Sequence, residues 1–479
     1  MLAAVRSRLP ATRPGLLPIS IVVLAVVLAL GFGWLVLLLA VLVPTVWAIY
    51  SRPQRGLLLL VALAPFNGLL LIAPFPSFVA GWHDSLILIV LGLTFVGPKE
   101  ARAPVGRRAP GWVPAIVGLL VLGLLSAAII GGIQALIGLK VSYFDVLVVI
   151  SLWRCPFNSR ERDHFVTILM VAALLTSLYG LWQQAVGHAY LASLGYQYNE
   201  VIRFSSGFRL RSFSSFNQPF PFAFYLMIAM LIGIPQVISE PNRLRNRLFA
   251  LALPVIGLAL VFTFVRAAWM GLAIGLGYLA FHRYKLLVYA IPLALVALLF
   301  LPTGTFTSAA FGSESLKART ASWSQRFRTI TTHPFGTGLA STGAAAEKVA
   351  KLRRTDVALA YQPDNSYLKT VFELGVLGLW LMIMLLAATF LGARSSERRL
   401  GGRGRDLAAG TSAVILASAV ASLVATYFEM FPMDLLFWCL VTTTATMSWE
   451  VSPSWEVWPP DPAATPDPAA TAREASTAA

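Results

Sequence analysis

Residues 217–239 read N-Q-P-F-P-F-A-F-Y-L-M-I-A-M-L-I-G-I-P-Q-V-I-S, without one Asp, Glu, Lys or Arg. A helix needs about 20 mostly apolar residues to cross the hydrocarbon of a bilayer. Pro219 falls at the start of the run, where a missing backbone N–H costs little. The segment therefore reads as a membrane span, and its neighbours repeat the pattern. Apolar runs lie near 16–31, 33–49, 56–73, 82–97, 113–131, 141–153, 164–186, 248–264, 267–281, 286–301, 366–391, 407–427 and 432–449.

The composition agrees with this reading. Of 479 residues, 57% are hydrophobic and 12% charged, and the mean hydropathy is +0.74. A soluble domain carries about 25% charged residues, so this chain has too little polar surface to cover a water-soluble core. The net charge of +16 does not form one basic face for nucleic acid; the charges punctuate the apolar runs. The expected fold is an all-α polytopic membrane protein of about 12–14 transmembrane helices. A large extracytoplasmic loop precedes the third-last span.

The basic residues test the span order. Cytoplasmic connections should be rich in Lys and Arg. With the N-terminus inside, alternate connections carry Arg52 and Arg55; Lys99, Arg102, Arg107 and Arg108; Arg154, Arg160 and Arg162; Arg243, Arg245 and Arg247; Arg283 and Lys285; and Arg394, Arg398, Arg399, Arg403 and Arg405. The expected organisation is a cytoplasmic N-terminus (1–15) and a first transmembrane bundle (16–301) with an outer loop at 187–216. A large extracytoplasmic loop (302–365), C-terminal helices (366–449) and a disordered cytoplasmic tail (450–479) follow. The two cysteines, Cys155 and Cys439, fall near the inner face and within a span, where they should not pair.

Charge inside hydrocarbon is expensive, so each exception is a candidate for function. Asp145, Arg266, Lys369, Glu373, Glu429 and Asp434 are such exceptions, and all fall toward the outer face; the alternative is that they snorkel to water. The first outer loop ends in Arg203, Arg209 and Arg211, which suit either a phosphate or lipid headgroups. Arg266 sits in a connection of almost no length and needs an anionic partner, a carboxylate or a ligand phosphate. Arg319 and Arg326 belong to a basic outer loop that would concentrate anions. Gly336 and Gly338 lack the strand–turn–helix setting of a nucleotide site, and His333 reads as a loop or capping residue. Asp364 and Asn365 open the next span. They serve either as helix caps or, for Asp364, as a carboxylate that accepts a proton. No Asp-x-Asp or His/Cys cluster suggests a metal.

Four segments, in order, resemble the O-antigen ligase/polymerase family of bacterial membrane glycosyltransferases. They are R-S-F-S-S-F-N-Q-P-F-P-F-A-F-Y-L from Arg211, T-F-V-R-A around Arg266, R-T-A-S-W from Arg319 with H-P-F-G-T-G from His333, and D-N-S-Y-L-K-T-V-F-E-L-G-V-L-G from Asp364. Y-G-L-W-Q-Q-A-V-G, residues 179–187, is similar to the family's segment before the first long loop. The resemblance implies transfer of an undecaprenyl-diphosphate-linked oligosaccharide to a glycan hydroxyl at the outer face of the bacterial cytoplasmic (inner) membrane, in surface or exopolysaccharide assembly. Both termini would be cytoplasmic. Arg266 and Arg319 match the family's functional arginines, with Asp364 as the catalytic carboxylate and no cofactor or metal. Arg203, Arg209, Arg211, Arg326 and Asn365 are the expected substrate-binding residues. The ligases have His-Asn, His-Ser or His-Gln where this chain has Asp364-Asn365, which resembles the polymerase branch. The competing class is a polysaccharide or lipid-linked sugar transporter or flippase, which would place polar residues at mid-membrane depth in paired, interrupted helices.

Overall fold

The computed structural model describes residues 34–71, 81–98, 102–103, 109–196, 210–289, 332–353 and 365–448. Among them every regular element is a helix and none is a strand. The order is α1 (Trp34–Ser51), α2 (Pro53–Leu63) with a 3-10 extension (Ala64–Leu71), α3 (Trp82–Val96), α4 (Val113–Ile130), α5 (Gly132–Tyr143) and α6 (Leu147–Arg154). Then come α7 (Ser159–Ser193), α8 (Pro219–Ser239), α9 (Leu244–Phe262), α10 (Arg266–His282), α11 (Gly343–Arg353), α12 (Ser366–Arg399), α13 (Gly402–Ala421) and α14 (Met433–Met447). Seven helical stretches among the described residues are long and apolar enough to cross a membrane, and α3 and α14 are shorter apolar helices. The chain is thus an all-α polytopic membrane protein. The apolar runs near 16–31 and 286–301 lie largely outside the described residues, as do most of loops 187–216 and 302–365 and the tail.

The centre of the bundle is α8, α10 and α13. Lipid offers no hydrophobic drive for helices to associate, so small residues that permit close approach replace it. A methyl group at Gly271 would stand 2.6 Å from Met227 Sδ and 3.1 Å from the Ala417 carbonyl; at Gly410 it would stand 2.8 Å from the Leu231 carbonyl. Ala413 and Ala417 of α13 are fully buried against this seam. The contacts pair residue 271 with 417 and 275 with 413, so α10 and α13 run antiparallel. A second apolar cluster joins α4, α12 and α14 around Trp112, whose ring lies 5.9 Å from Trp438.

Following the chain, helix ends collect into two layers. One layer gathers the alternate basic connections. Arg243 pairs with both Asp163 oxygens and Arg245 donates to Asp163 Oδ1 at 2.9 Å. Arg403 reaches Glu240 at 2.8 Å, Arg52 reaches Glu161 at 3.6 Å, and Arg102 donates to the carbonyls of Phe95 and Gly97. Tyr284 donates to Asp406 at 2.6 Å, and Arg283 sits 3.5 Å from the same carboxylate. The ion pair with Asp163 is the main reason the Arg243 guanidinium is held above its ordinary pKa. Helices α2, α7, α9, α12 and α13 each place a basic end in this layer. The opposite layer holds the turns at 210–218, 263–265, 334–343 and 422–432.

This geometry sets a labelling prediction. With the native Cys155 and Cys439 both free and buried, a membrane-impermeant thiol reagent added outside should modify Lys351→Cys but not Asn242→Cys, both being exposed positions. The reverse pattern would invert the orientation deduced from the basic connections.

Candidate functional site

The turn that carries Arg211 is built by side chains of α7. Gln183 Nε2 donates to the Ser214 carbonyl at 2.9 Å, and its Oε1 accepts from Ser214 N at 2.7 Å. Gln184 donates to the Leu210 carbonyl at 2.8 Å. Ser212 Oγ donates to the Gly180 carbonyl at 2.9 Å, an approach that a methyl group at Gly180 would obstruct. Ser215 reaches the Pro65 carbonyl at 2.7 Å. These bonds satisfy a non-helical backbone that is buried in protein, where irregular structure is tolerated at a membrane's edge. Two segments that resemble the family on sequence, 179–187 and 211–226, are therefore physically one unit.

That unit delivers Arg211 to Arg266. Ser212 N donates to the Phe262 carbonyl at 2.9 Å, and Arg211 Nε to the Thr263 carbonyl at 3.1 Å. Between α9 and α10 the chain reverses in three residues. Thr263 Oγ1 donates to the Leu260 carbonyl at 2.6 Å and accepts from Val265 N at 3.2 Å, while Phe264 takes a positive φ of 53°. Arg266 is the first residue of α10 and half-buried, as is Arg211. The Arg211 guanidinium stacks 5.2 Å above the Phe220 ring. Burial first, and then the Arg266 charge, push it down to about 10. Two guanidinium groups close enough to act on each other in a partly desolvated turn favour an anion beside them.

The start of α12 forms the second part of the layer. Asn365 Oδ1 accepts from Leu368 N at 3.0 Å and is the helix N-cap. The capping role that the sequence divided between Asp364 and Asn365 thus belongs to Asn365. Ser366 N donates to the Ser422 carbonyl at 2.8 Å and its Oγ to the Ala425 carbonyl at 3.0 Å, tying this end of α12 to the end of α13. Because α10 and α13 are antiparallel, Arg266 emerges on the same side. Arg203, Arg209, Arg319, Arg326 and Asp364 lie outside the described residues.

Ten residues beyond its Asn365 cap, α12 breaks. Gly375 adopts φ 70° and ψ −169°, splitting the helix into two arms. The freed carbonyls are taken by the H-P-F-G-T-G segment: Thr337 N donates to the Phe372 carbonyl at 2.7 Å and Gly338 N to the Glu373 carbonyl at 3.0 Å. In return Val376 N donates to the Pro334 carbonyl at 3.1 Å. A methyl group at Gly375 would lie 2.2 Å from the Pro334 carbonyl oxygen, and one at Gly336 would lie 2.5 Å from that of Glu373. The glycines thus serve backbone-to-backbone docking, a use unrelated to nucleotides. The signal was present in the sequence as two glycine-bearing motifs, but nothing in either motif named the other.

The short arm before the break carries Lys369 and Glu373 into a cavity of about 120 Å³. Lys369 Nζ donates to Glu373 Oε2 at 2.5 Å and lies 2.9 Å from Glu429 Oε1. Glu373 Oε1 also accepts from Thr342 N and Oγ1 at 3.3 and 3.2 Å. Asp145 and Asp434 line the same cavity. Five of the six charges that the sequence singled out as membrane exceptions therefore converge, and Arg266 stands apart with Arg211. Lys369, Glu373 and Glu429 do not snorkel; at most 8% of each side chain is exposed. Asp84 and Lys140, exceptions of the same kind that sequence reasoning passed over, pair with each other nearby. Among the described residues no His/Cys/Asp/Glu group has the arrangement of a metal site.

Gly375→Ala should be damaging on two counts, since it forces a left-handed φ on an L side chain and drives a methyl into the Pro334 carbonyl. We expect a loss of about 1–3 kcal/mol from overpacking alone, read as a lowered thermal midpoint in detergent. Val376→Ala, one residue on, should leave that midpoint nearly unchanged.

Residues 249–383 match the O-antigen ligase family model. The matched stretch includes Arg266, the docked hairpin, α11 and the broken start of α12, and it leaves out the turn that carries Arg211. Among curated proteins the chain has no match. The matched domain supports the O-antigen ligase/polymerase family and an O-antigen ligase-type role in polysaccharide assembly for this multi-pass membrane protein.

Proposed function

We propose that the chain is a glycosyltransferase that moves or polymerises a polyprenyl-diphosphate-linked glycan onto a sugar hydroxyl, at the outer face of the bacterial cytoplasmic membrane. The observation that carries this reading is the Arg211–Arg266 pair. It is held at the layer that lacks the basic connections, and it lies within the same helix-end layer as the first turn of α12. As the anomeric C–O bond of a sugar diphosphate breaks, negative charge develops on the leaving group. Fixed guanidinium groups that bind that charge most strongly lower the barrier. Their donors are prepositioned by the Thr263 turn and by the glutamine clasp of α7, so little reorganisation accompanies the reaction.

In this reading Arg319 joins Arg211 and Arg266 on the diphosphate, and Arg203, Arg209 and Arg326 draw the donor into the layer. Asp364 accepts the acceptor hydroxyl's proton, and Asn365 holds the helix turn that follows it. The assignment of the cap to Asn365 supports this role for Asp364, because it removes the structural task that competed for the same residue. The Asp364-Asn365 pair favours the polymerase branch. Undecaprenyl diphosphate is the expected carrier, and no metal is assigned to the chemistry.

Purified protein incubated with a defined undecaprenyl-diphosphate glycan should yield longer glycans; no product from any donor–acceptor pair would overturn the reading. Arg211→Lys and Arg266→Lys keep the charge but lose the planar fork, at a cost of about 1.5–3 kcal/mol each. That cost corresponds to roughly a tenfold or greater loss of transfer with normal membrane insertion. Full activity in both would leave these arginines as headgroup anchors. Asp364→Asn preserves shape and removes proton acceptance, so turnover should fall by about 10²–10⁴. Asn365→Ala, by contrast, should cost about 1 kcal/mol of stability through the lost cap.

A further inference from the structure

The cavity behind the first turn of α12 contains more acid than its single lysine neutralises. Glu373, Glu429, Asp145 and Asp434 face Lys369 across a space of about 120 Å³, with Ser142, Tyr143 and Ser366 in its wall. That volume exceeds by several-fold the roughly 10–15 Å³ that one water requires. The Asp145 and Asp434 carboxyl groups come from two different helical stretches, α5–α6 and α14, and both line this cavity. Two carboxylates that share a site repel when both are ionised, which favours a proton on one. Both are held where they stand: Asp145 is 7% exposed, and Asp434 Oδ1 accepts from Leu435 N at 2.9 Å. Glu429, 8% exposed at its side chain, directs Oε2 into the same region without a hydrogen-bond partner.

We propose that Asp145 and Asp434 hold one shared proton and, with Glu429, form the route by which the proton released in glycosyl transfer leaves the site. This rests on the transferase reading above. In that reaction the acceptor oxygen bonds to the anomeric carbon while the bond from that carbon to the diphosphate oxygen breaks, and the electron pair leaves with the diphosphate. The hydroxyl proton is the remaining product. It is released beside the start of α12, whose first residue, Ser366, walls the cavity. A carboxylate without a hydrogen-bond donor on one oxygen can take that proton, and a pair that already shares one can pass its own onward through cavity water. Asp145, Asp434 and Glu429 are positioning and relay groups in this scheme, separate from the atoms that react.

The other charged and titratable groups around the pair fit a relay at this position. Asp84 of α3 is paired with Lys140 of α5 and flanks Asp145, and His83 stands beside Asp84. Tyr143 lines the cavity near Lys369 and Glu373, and Cys439 faces Asp145 from α14. Lys369 is engaged by Glu373 and Glu429 together, and Lys140 acts on Asp145 from α5.

Two measurements test the inference, one of them independent of activity. Infrared spectra of the full-length protein in lipid should show a protonated-carboxyl band that shifts in D₂O. The band should disappear in Asp145→Asn and in Asp434→Asn, each an isosteric change. A spectrum without that band, or a band that survives in both variants, overturns the shared proton whether or not transfer has been demonstrated. With an undecaprenyl-diphosphate glycan as donor, Asp145→Asn, Asp434→Asn and Glu429→Gln should each lower kcat by roughly tenfold or more at unchanged KM. Each should also raise the solvent hydrogen isotope effect on kcat, as proton departure becomes limiting. Lower kcat with an unchanged isotope effect would reduce these residues to structural supports, and wild-type kcat would remove the route; both outcomes overturn the relay. Wild-type protein that turns over no donor would instead defeat the transferase reading, and the relay with it, leaving the infrared result to decide the proton.

Discussion

Within the membrane's edge, a break in a helix survives only if the backbone groups it frees are met by other donors and acceptors. In this chain that requirement is concentrated at Gly375. The carbonyls of Phe372 and Glu373 lose their helical partners there and are taken by Thr337 and Gly338. Everything on the short arm of α12 inherits its placement from those bonds. Lys369 and Glu373 are turned into the cavity, Thr342 is brought onto Glu373, and Asn365 is left at the layer's surface. An unbroken helix would carry the same residues along a different line.

The second organising feature is the separation of two kinds of charge. In the layer of basic connections, arginines are spent on neighbouring carboxylates: Asp163 takes two and Glu240 takes Arg403. In the opposite layer Arg211 and Arg266 lie near enough for the charge of one to act on the other, and five charged residues line a separate cavity. The layer thus holds a basic turn and an acidic cavity as two separate places.

Much of this was legible in the sequence, and the reason differs by feature. Spans announce themselves because lipid contact demands an unbroken apolar run, and the runs at 217–239, 248–264 and 407–427 became helices close to those limits. Single charges in such runs, Asp145, Lys369, Glu373, Glu429 and Asp434, stood out for the same reason. Their convergence did not, because the five charges come from three segments, near 145, 369–373 and 429–434, that are distant in sequence. The assignment of the cap to Asn365 turns on one residue of backbone geometry, which no preference for Asp or Asn can resolve. Gly336 and Gly375 were visible as glycines, yet their mutual contact depends on a hairpin meeting a helix break about 40 residues away, beyond the reach of local turn rules.

The docking of 334–338 on 372–376 also bears on how the chain is made. A membrane protein is threaded from its N-terminus, so the hairpin is synthesised before the helix that it completes. When α12 enters the bilayer, the donors for its two freed carbonyls are already available, provided the preceding loop has crossed first. The order of the two motifs along the chain thus matches the order in which the backbone needs them. A circular rearrangement that placed α12 ahead of the hairpin would leave a half-satisfied helix in lipid for as long as synthesis of the remainder took.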